Sequence, residues 1–229
     1  MGSVTQNLFK FFRHSSSGKE SHAGETGVRT RRHSTAFKEF MRSIGKEEGL
    51  SFLDLGATSA TNISLLTERG HRLRTEDLLS SSFDPDVYTD GADGSKALDV
   101  EKFLKENLQF HGQQFDAVFF WDIADYLPEA LVKPVIEKIF VSMKPGALLL
   151  AFFHTKDAGP EAPYSRYHIV GDDALDLQPM MVRNGSGNAA TVRLQRVFNN
   201  RHIENLFREY ASLKFFLARD NMREVLVVR

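Results

Sequence analysis

Apolar runs that do not alternate with polar residues mark the middle of this chain. FDAVFFW (Phe115 to Trp121) and the end of KPGALLLAFF (Lys144 to Phe153) are apolar at odd and even positions alike, as a strand buried on both faces must be. LSFLDLG (Leu50 to Gly56) is a shorter strand ending in an aspartate and a glycine, and HRLRTEDL (His71 to Leu78) is a second one ending in acids. Between the strands the period becomes helical. Ala36, Phe37, Phe40, Met41 and Ile44 form one stripe behind a Ser34 N-cap, stopped by Gly45 and Gly49. Ser59 to Arg69 predicts a helix with Ile63, Leu65 and Leu66 inward, and Asp99 to Asn107 another. Leu131 to Met143 predicts a third, opened by Pro128 and Glu129, with Pro134 near its first turn where a missing amide is tolerated. Residues 79 to 95, rich in Ser, Asp and Gly, read as a loop.

Repeated strand-helix units with buried strands imply a parallel sheet covered on both sides. The last third differs. SLKFFLA (Ser212 to Ala218) and REVLVVR (Arg223 to Arg229) predict an antiparallel hairpin, preceded by a helix at Arg201 to Tyr210. Residues 155 to 200 read as an inserted cap or substrate region, with strands expected at RYHIV (Arg166 to Val170) and around TVRLQRVF. Residues 1 to 33 read as a flexible arm and 34 to 229 as one domain, because SSSGKESHAGETG cannot bury enough surface to offset its ordering entropy. Within the arm, LFKFFRH is an aromatic-basic patch and RTRRH (Arg29 to His33) a solvated basic flank.

Composition narrows the chemistry. Lys plus Arg number 29 and Asp plus Glu 30, so no global field attracts nucleic acid or an anionic membrane. The absence of cysteine removes disulfides, thiolate metal sites and a cysteine nucleophile. The histidines show no metal-ligand spacing. No apolar run approaches the ~20 residues that span a bilayer, and no secretory h-region is present. A cytoplasmic protein is expected, with no membrane partner and no strong nucleic-acid signal.

Four stretches in order carry a family likeness: LDLGATS, GHRLRTEDL, FDAVFFWDIADYLPE and SMKPGALLLAFF. Together they resemble the class I S-adenosylmethionine-dependent methyltransferases, with a degenerate glycine motif. The resemblance covers about Leu50 to Phe153 and, less closely, the hairpin. It implies a Rossmann-like, seven-stranded α/β sheet, mostly parallel with a C-terminal antiparallel hairpin, and helices on both faces. It implies S-adenosylmethionine as cofactor, held at the carboxyl ends of the strands by Asp54 and Gly56, by Glu76 or Asp77 on the ribose hydroxyls, and by Trp121 and Asp122. Asp99 is the candidate for the acid on the adenine amine. Thr58 and Ala60 stand where the family has its second and third glycines; both are small enough for a nucleoside to approach, though a positive φ at Thr58 would be strained.

Methyl transfer from a sulfonium needs mainly positioning. No residue stands out as a general base. His154 follows the last parallel strand, Asp122 and Asp125 lie on the exit of the strand before it, and Tyr164, Arg166, Tyr167, His168, Arg183, Arg193 and Arg196 populate the insertion. The expected function is methyl transfer to a small-molecule acceptor. The alternative is a catalytically inactive binding or scaffold protein on the same fold, which the lost glycines favour. An NAD(P)-dependent enzyme is disfavoured, since no G-x-G-x-x-G follows the first strand.

Overall fold

A computed structural model of the protein describes residues 28–45, 47–90, 95–183, 189–218 and 220–229. The LFKFFRH patch lies outside the described residues. In chain order the first elements are β1 (Thr30–His33), α1 (Thr35–Ile44), β2 (Ser51–Asp54), α2 (Ala60–Glu68), β3 (Arg72–Thr75), α3 (Leu78–Ser81), β4 (Tyr88–Asp90), β5 (Lys96–Leu98) and α4 (Val100–Asn107). There follow β6 (Phe115–Trp121), α5 (Glu129–Ser142), β7 (Met143–His154), β8 (Ser165–Ile169), β9 (Ala174–Pro179), β10 (Val182–Arg183), β11 (Ala189–Ala190), α6 (Asn200–Leu206), β12 (Ser212–Phe216) and β13 (Met222–Val228).

The main sheet has six strands among the described residues, in the order β12-β13-β7-β6-β2-β3. β3, β2, β6 and β7 run parallel, and the β12–β13 hairpin is antiparallel to β7. A seventh strand is not among them. Within and just after the segment read as a loop, Tyr88–Asp90 and Lys96–Leu98 pair with each other as a small separate ladder.

Side-chain parity explains why the buried strands read as unbroken apolar runs. Leu53, Val118, Phe120, Leu149, Ala151, Phe153, Val225 and Val227 enter one core with α4 and α5. Their neighbours Phe52, Ala117, Phe119, Trp121, Leu150, Phe152 and Leu226 enter the opposite core with α1 and Leu66 of α2. Helix α1 begins as its sequence suggests, with Ser34 Oγ accepting from Phe37 N–H at 3.0 Å. Its end is set by Gly45 at φ 67, a conformation that favours glycine.

The inserted region departs from expectation in two places. β8 forms at RYHI, but residues 191–199 carry no strand; the amides of Gln195 and Arg196 donate to the Asp125 carbonyl instead. The partner of β8 is β9, and β9 in turn pairs with β1, giving an antiparallel three-stranded sheet β1-β9-β8. Thr30–His33, read as a solvated flank, is therefore an ordered strand. Its charges are matched by residues remote in sequence: Arg31 Nε donates to Asp176 at 2.7 Å, and the buried Arg32 bridges Asp220 and Glu224 at 2.6 and 2.7 Å. Two smaller expectations also shift. Ile63 is exposed while Asn62 is buried, and Pro134 sits well inside α5 rather than near its first turn.

Candidate functional site

The carboxyl ends of β2, β6 and β7 converge beneath β8. β2 delivers Asp54 and the turn Leu55-Gly56-Ala57, β6 delivers Trp121 and Asp122, and β7 delivers His154. Asp54 is fully buried. Its Oδ1 accepts from Trp121 Nε1–H at 2.7 Å and from Gly56 N–H at 3.2 Å. Burial pushes its carboxyl up to about 6, against the pull of Thr58, Trp121 and Gly56.

Gly56 is where the fold opens a space and then fills it. A Cβ there would lie 2.8 Å from Trp121 Cδ1 and 3.6 Å from the Tyr164 hydroxyl. The indole is sandwiched, with Phe119 on one ring face and Tyr167 on the other, each 4.7 Å between centroids and tilted by 10° and 4°. The Tyr164 hydroxyl accepts from Ala57 N–H at 3.2 Å. Tyr164, Met180 and Val182 of the insertion share one apolar cluster with Leu55, Ala57, Leu78 and Leu79 at the ends of β2 and β3, and β10 packs against α3. Asn62 clamps this cover: its Nδ2 donates to Tyr167 C=O and its Oδ1 accepts from Ile169 N–H, both at 2.8 Å.

Beyond Asp54, Gly56 and Trp121, the residues named from sequence fall as follows. Thr58 is half-buried and Ala60 is an exposed first residue of α2. Glu76 pairs with Arg74 at 2.8 Å; burial raises its carboxyl and the guanidinium lowers it, with a net rise. Asp77 caps α3, accepting from Ser80 N–H and Oγ–H at 3.0 and 2.7 Å, and burial leaves its carboxyl raised. Asp99 caps α4 through Lys102 N–H at 2.9 Å. Asp122 is buried and pushed up to about 6 by burial, partly offset by His154.

A second constellation lies alongside. Asp125 Oδ2 accepts from His154 N–H at 2.6 Å and pairs with Nδ1 at 2.9 Å, both side chains being buried. Burial lowers the imidazole, but Asp125, Asp122 and Asp220 outweigh it and its pKa is raised. Among the described residues, no group of three or more His, Cys, Asp or Glu could hold a metal ion.

The family likeness would lay the nucleoside of S-adenosylmethionine against the glycine turn. The residues present do not fit it, because Trp121 and Tyr164 already occupy the face of Gly56. The contribution of Tyr164, Tyr167 and Asn62 was missed at this level of detail. In the sequence the tyrosines show only as members of the insertion, and the polar Asn62 gives no apolar signal for the face of α2 that it buries.

No protein-family model matches the sequence, and no curated protein matches it. Among solved structures the chain is similar to the 1,6-didemethyltoxoflavin-N1-methyltransferase of Burkholderia thailandensis, at 11% identity over 97% of this chain and 86% of that one, TM-score 0.45. It is also similar to an S-adenosylmethionine-dependent methyltransferase of Mesorhizobium loti, at 12% identity, 85% and 98% coverage and TM-score 0.43. A methyltransferase of Methanosarcina mazei gives 11%, 80%, 93% and 0.44. The strand order, not these scores, carries the architecture: a Rossmann-like sheet of the methyltransferase type. Activity has to be argued from the site.

Proposed function

We propose that the protein is a binding or scaffold domain built on a methyltransferase-type fold, with no methyl transfer of its own. One observation carries this reading. The nucleoside face of the first glycine turn is filled by Trp121 and Tyr164, and the apolar residues around it are covered by Met180 and Val182. In this reading the domain begins ahead of the expected residue 34, because β1 (Thr30–His33) pairs with β9, and β8 to β10 of the insertion are its permanent cover. The open surface lies elsewhere. A depression of about 710 Å³ lies between β1 and the tip of the C-terminal hairpin, lined in part by Arg31, Leu177, Leu217 and Asp220, and offers room for a partner.

The test is calorimetry with S-adenosylmethionine and S-adenosylhomocysteine at millimolar concentration. The expected result is no heat of binding and no shift in melting temperature. Saturable binding with a Kd below about 1 mM, an affinity of about 4 kcal/mol, would overturn the reading.

A second reading, a methyltransferase acting on a small-molecule acceptor, draws on the buried Asp125–His154 pair beside Asp122. In that reading S-adenosylmethionine would lie against Gly56, Thr58 and Ala60, with Asp54, Glu76, Asp77, Asp99, Trp121 and Asp122 around it. It requires the cover to lift, and positive calorimetry selects it. Among the described residues no helix is long and apolar enough to cross a membrane. A cytoplasmic location remains part of the proposal.

A further inference from the structure

We infer that Trp121 is a tethered ligand: its side chain sits in a recognition slot for an indole-type ring, a flat bicycle with one ring N–H. The inference rests on the closed-cleft reading and says what closes it.

The slot has four built sides. Phe119 and Tyr167 supply two nearly parallel ring faces, each 4.7 Å from the indole centroid. Gly56 supplies a wall with no side chain, and the edge of the ring approaches to where a Cβ would be only 2.8 Å away. Asp54 supplies one acceptor, at 2.7 Å from Nε1. These groups come from β2, its exit turn, β6 and β8.

Two features separate this from ordinary core filling. A core tryptophan needs no more than a carbonyl for its N–H. Here the partner is a fully buried carboxylate, a costly group to keep from water, and its Oδ2 lies beside the Thr58 hydroxyl without a well-formed hydrogen bond. Second, Trp121 is the only non-glycine residue with positive φ among the described residues, at 48°. Such a conformation persists only where the surroundings over-determine it. The ring is placed where the slot wants it, and the backbone is bent to deliver it.

The chemistry also sets selectivity. The slot offers one acceptor and otherwise apolar faces. A purine would bring several ring nitrogens with nothing to pair with, each left unsatisfied on burial. A ring lacking the N–H would leave Asp54 Oδ1 with only the longer bond from Gly56 N–H, at 3.2 Å.

The test uses the full chain with Trp121→Gly, which empties the slot and suits the positive φ. Binding of indole, 1-methylindole and adenine is measured by calorimetry and thermal melting. Indole is expected to bind and raise the melting temperature. Both 1-methylindole and adenine should bind about tenfold to a hundredfold more weakly, the worth of one hydrogen bond to a charged group. A plain apolar cavity would take 1-methylindole at least as well as indole, and that result overturns the inference. So does a folded variant that binds none of the three. If the variant is unfolded alone, recovery of native circular dichroism with indole but not with 1-methylindole supports the slot, and no recovery overturns it. S-adenosylmethionine titration of the unaltered protein tests the closed cleft separately, so the two failures are distinguishable.

Discussion

Asp122 shows what a single buried side chain does to the whole stability curve. Its carboxyl rises from 3.8 to about 6 because burial disfavours the charged form. Below pH about 4 the folded and unfolded chains both hold this proton. Between about 4 and 6 the unfolded chain releases it first, so stability falls as pH rises and stays lower above that window. The shift corresponds to about 3 kcal/mol at neutral pH. Asp122→Asn removes the titration. Its stability relative to the unaltered protein should therefore rise by up to about 3 kcal/mol between pH 4 and pH 7, read from denaturant unfolding at several pH values. A difference that stays flat with pH would show that Asp122 is not the group responsible. At this scale the sequence was informative about identity and silent about environment. Asp54, Gly56 and Trp121 could be picked out from their place after apolar strands. That they bond to one another, and so fill the space they border, depends on a ring orientation no local pattern encodes.

Among the elements, legibility followed the source of the stabilisation. The central strands were readable because burial on both faces leaves an unbroken apolar run, and the helices because their caps and stripes are local. The β1-β9-β8 sheet was not readable as a unit. β1 is mostly charged and is held by Asp176, Asp220 and Glu224, far away in the chain. TVRLQRVF has a strand-like alternation, yet its amides at Gln195 and Arg196 are spent on the Asp125 carbonyl. One fastening of the small sheet is Asn62, reaching from α2 to two backbone groups on the same edge of β8. Asn62→Ala leaves a buried carbonyl and a buried amide unpaired and should destabilise the protein by about 2–4 kcal/mol. The more specific sign is in hydrogen exchange, where amides of β8 and β9 should lose protection before those of β6 and β7. Simultaneous loss in all four strands would deny Asn62 its role as a clamp.

The whole molecule is tied together at Arg32. This residue, 6% exposed in its side chain, joins β1 to Glu224 of β13, which is 1% exposed and also accepts from Ala36 N–H of α1 at 2.8 Å. Removing the cation alone strands a buried carboxylate, so Arg32→Met should cost about 3–5 kcal/mol. Arg32→Met combined with Glu224→Gln should recover much of that loss, since the glutamine carbonyl still accepts from Ala36; both are measured by urea unfolding. A double variant no better than the single one would mean that packing of Arg32 on Phe152, 4.8 Å from its ring centre, matters more than its charge. The family likeness was legible at this scale as an order of motifs. The strand count among the described residues and the filled cleft were not: the β4–β5 ladder lies between the motifs, Tyr164 follows the last of them, and the ring orientation of Trp121 is set by distant partners.

The place of β13 has a consequence for how the chain matures on the ribosome. β13 lies between β7 and β12, pairing Met222 to Val228 with His154 to Leu148. Synthesis runs in the opposite sense to this nesting. By the time β7 emerges, β2, β3 and β6 are already available, but one long side of β7 stays bare until β13 follows. Arg32 waits over the same interval for Glu224. The nascent chain therefore carries an open strand edge and an unneutralised cation through its most vulnerable period, the state in which edge-to-edge association with a neighbour is most favoured.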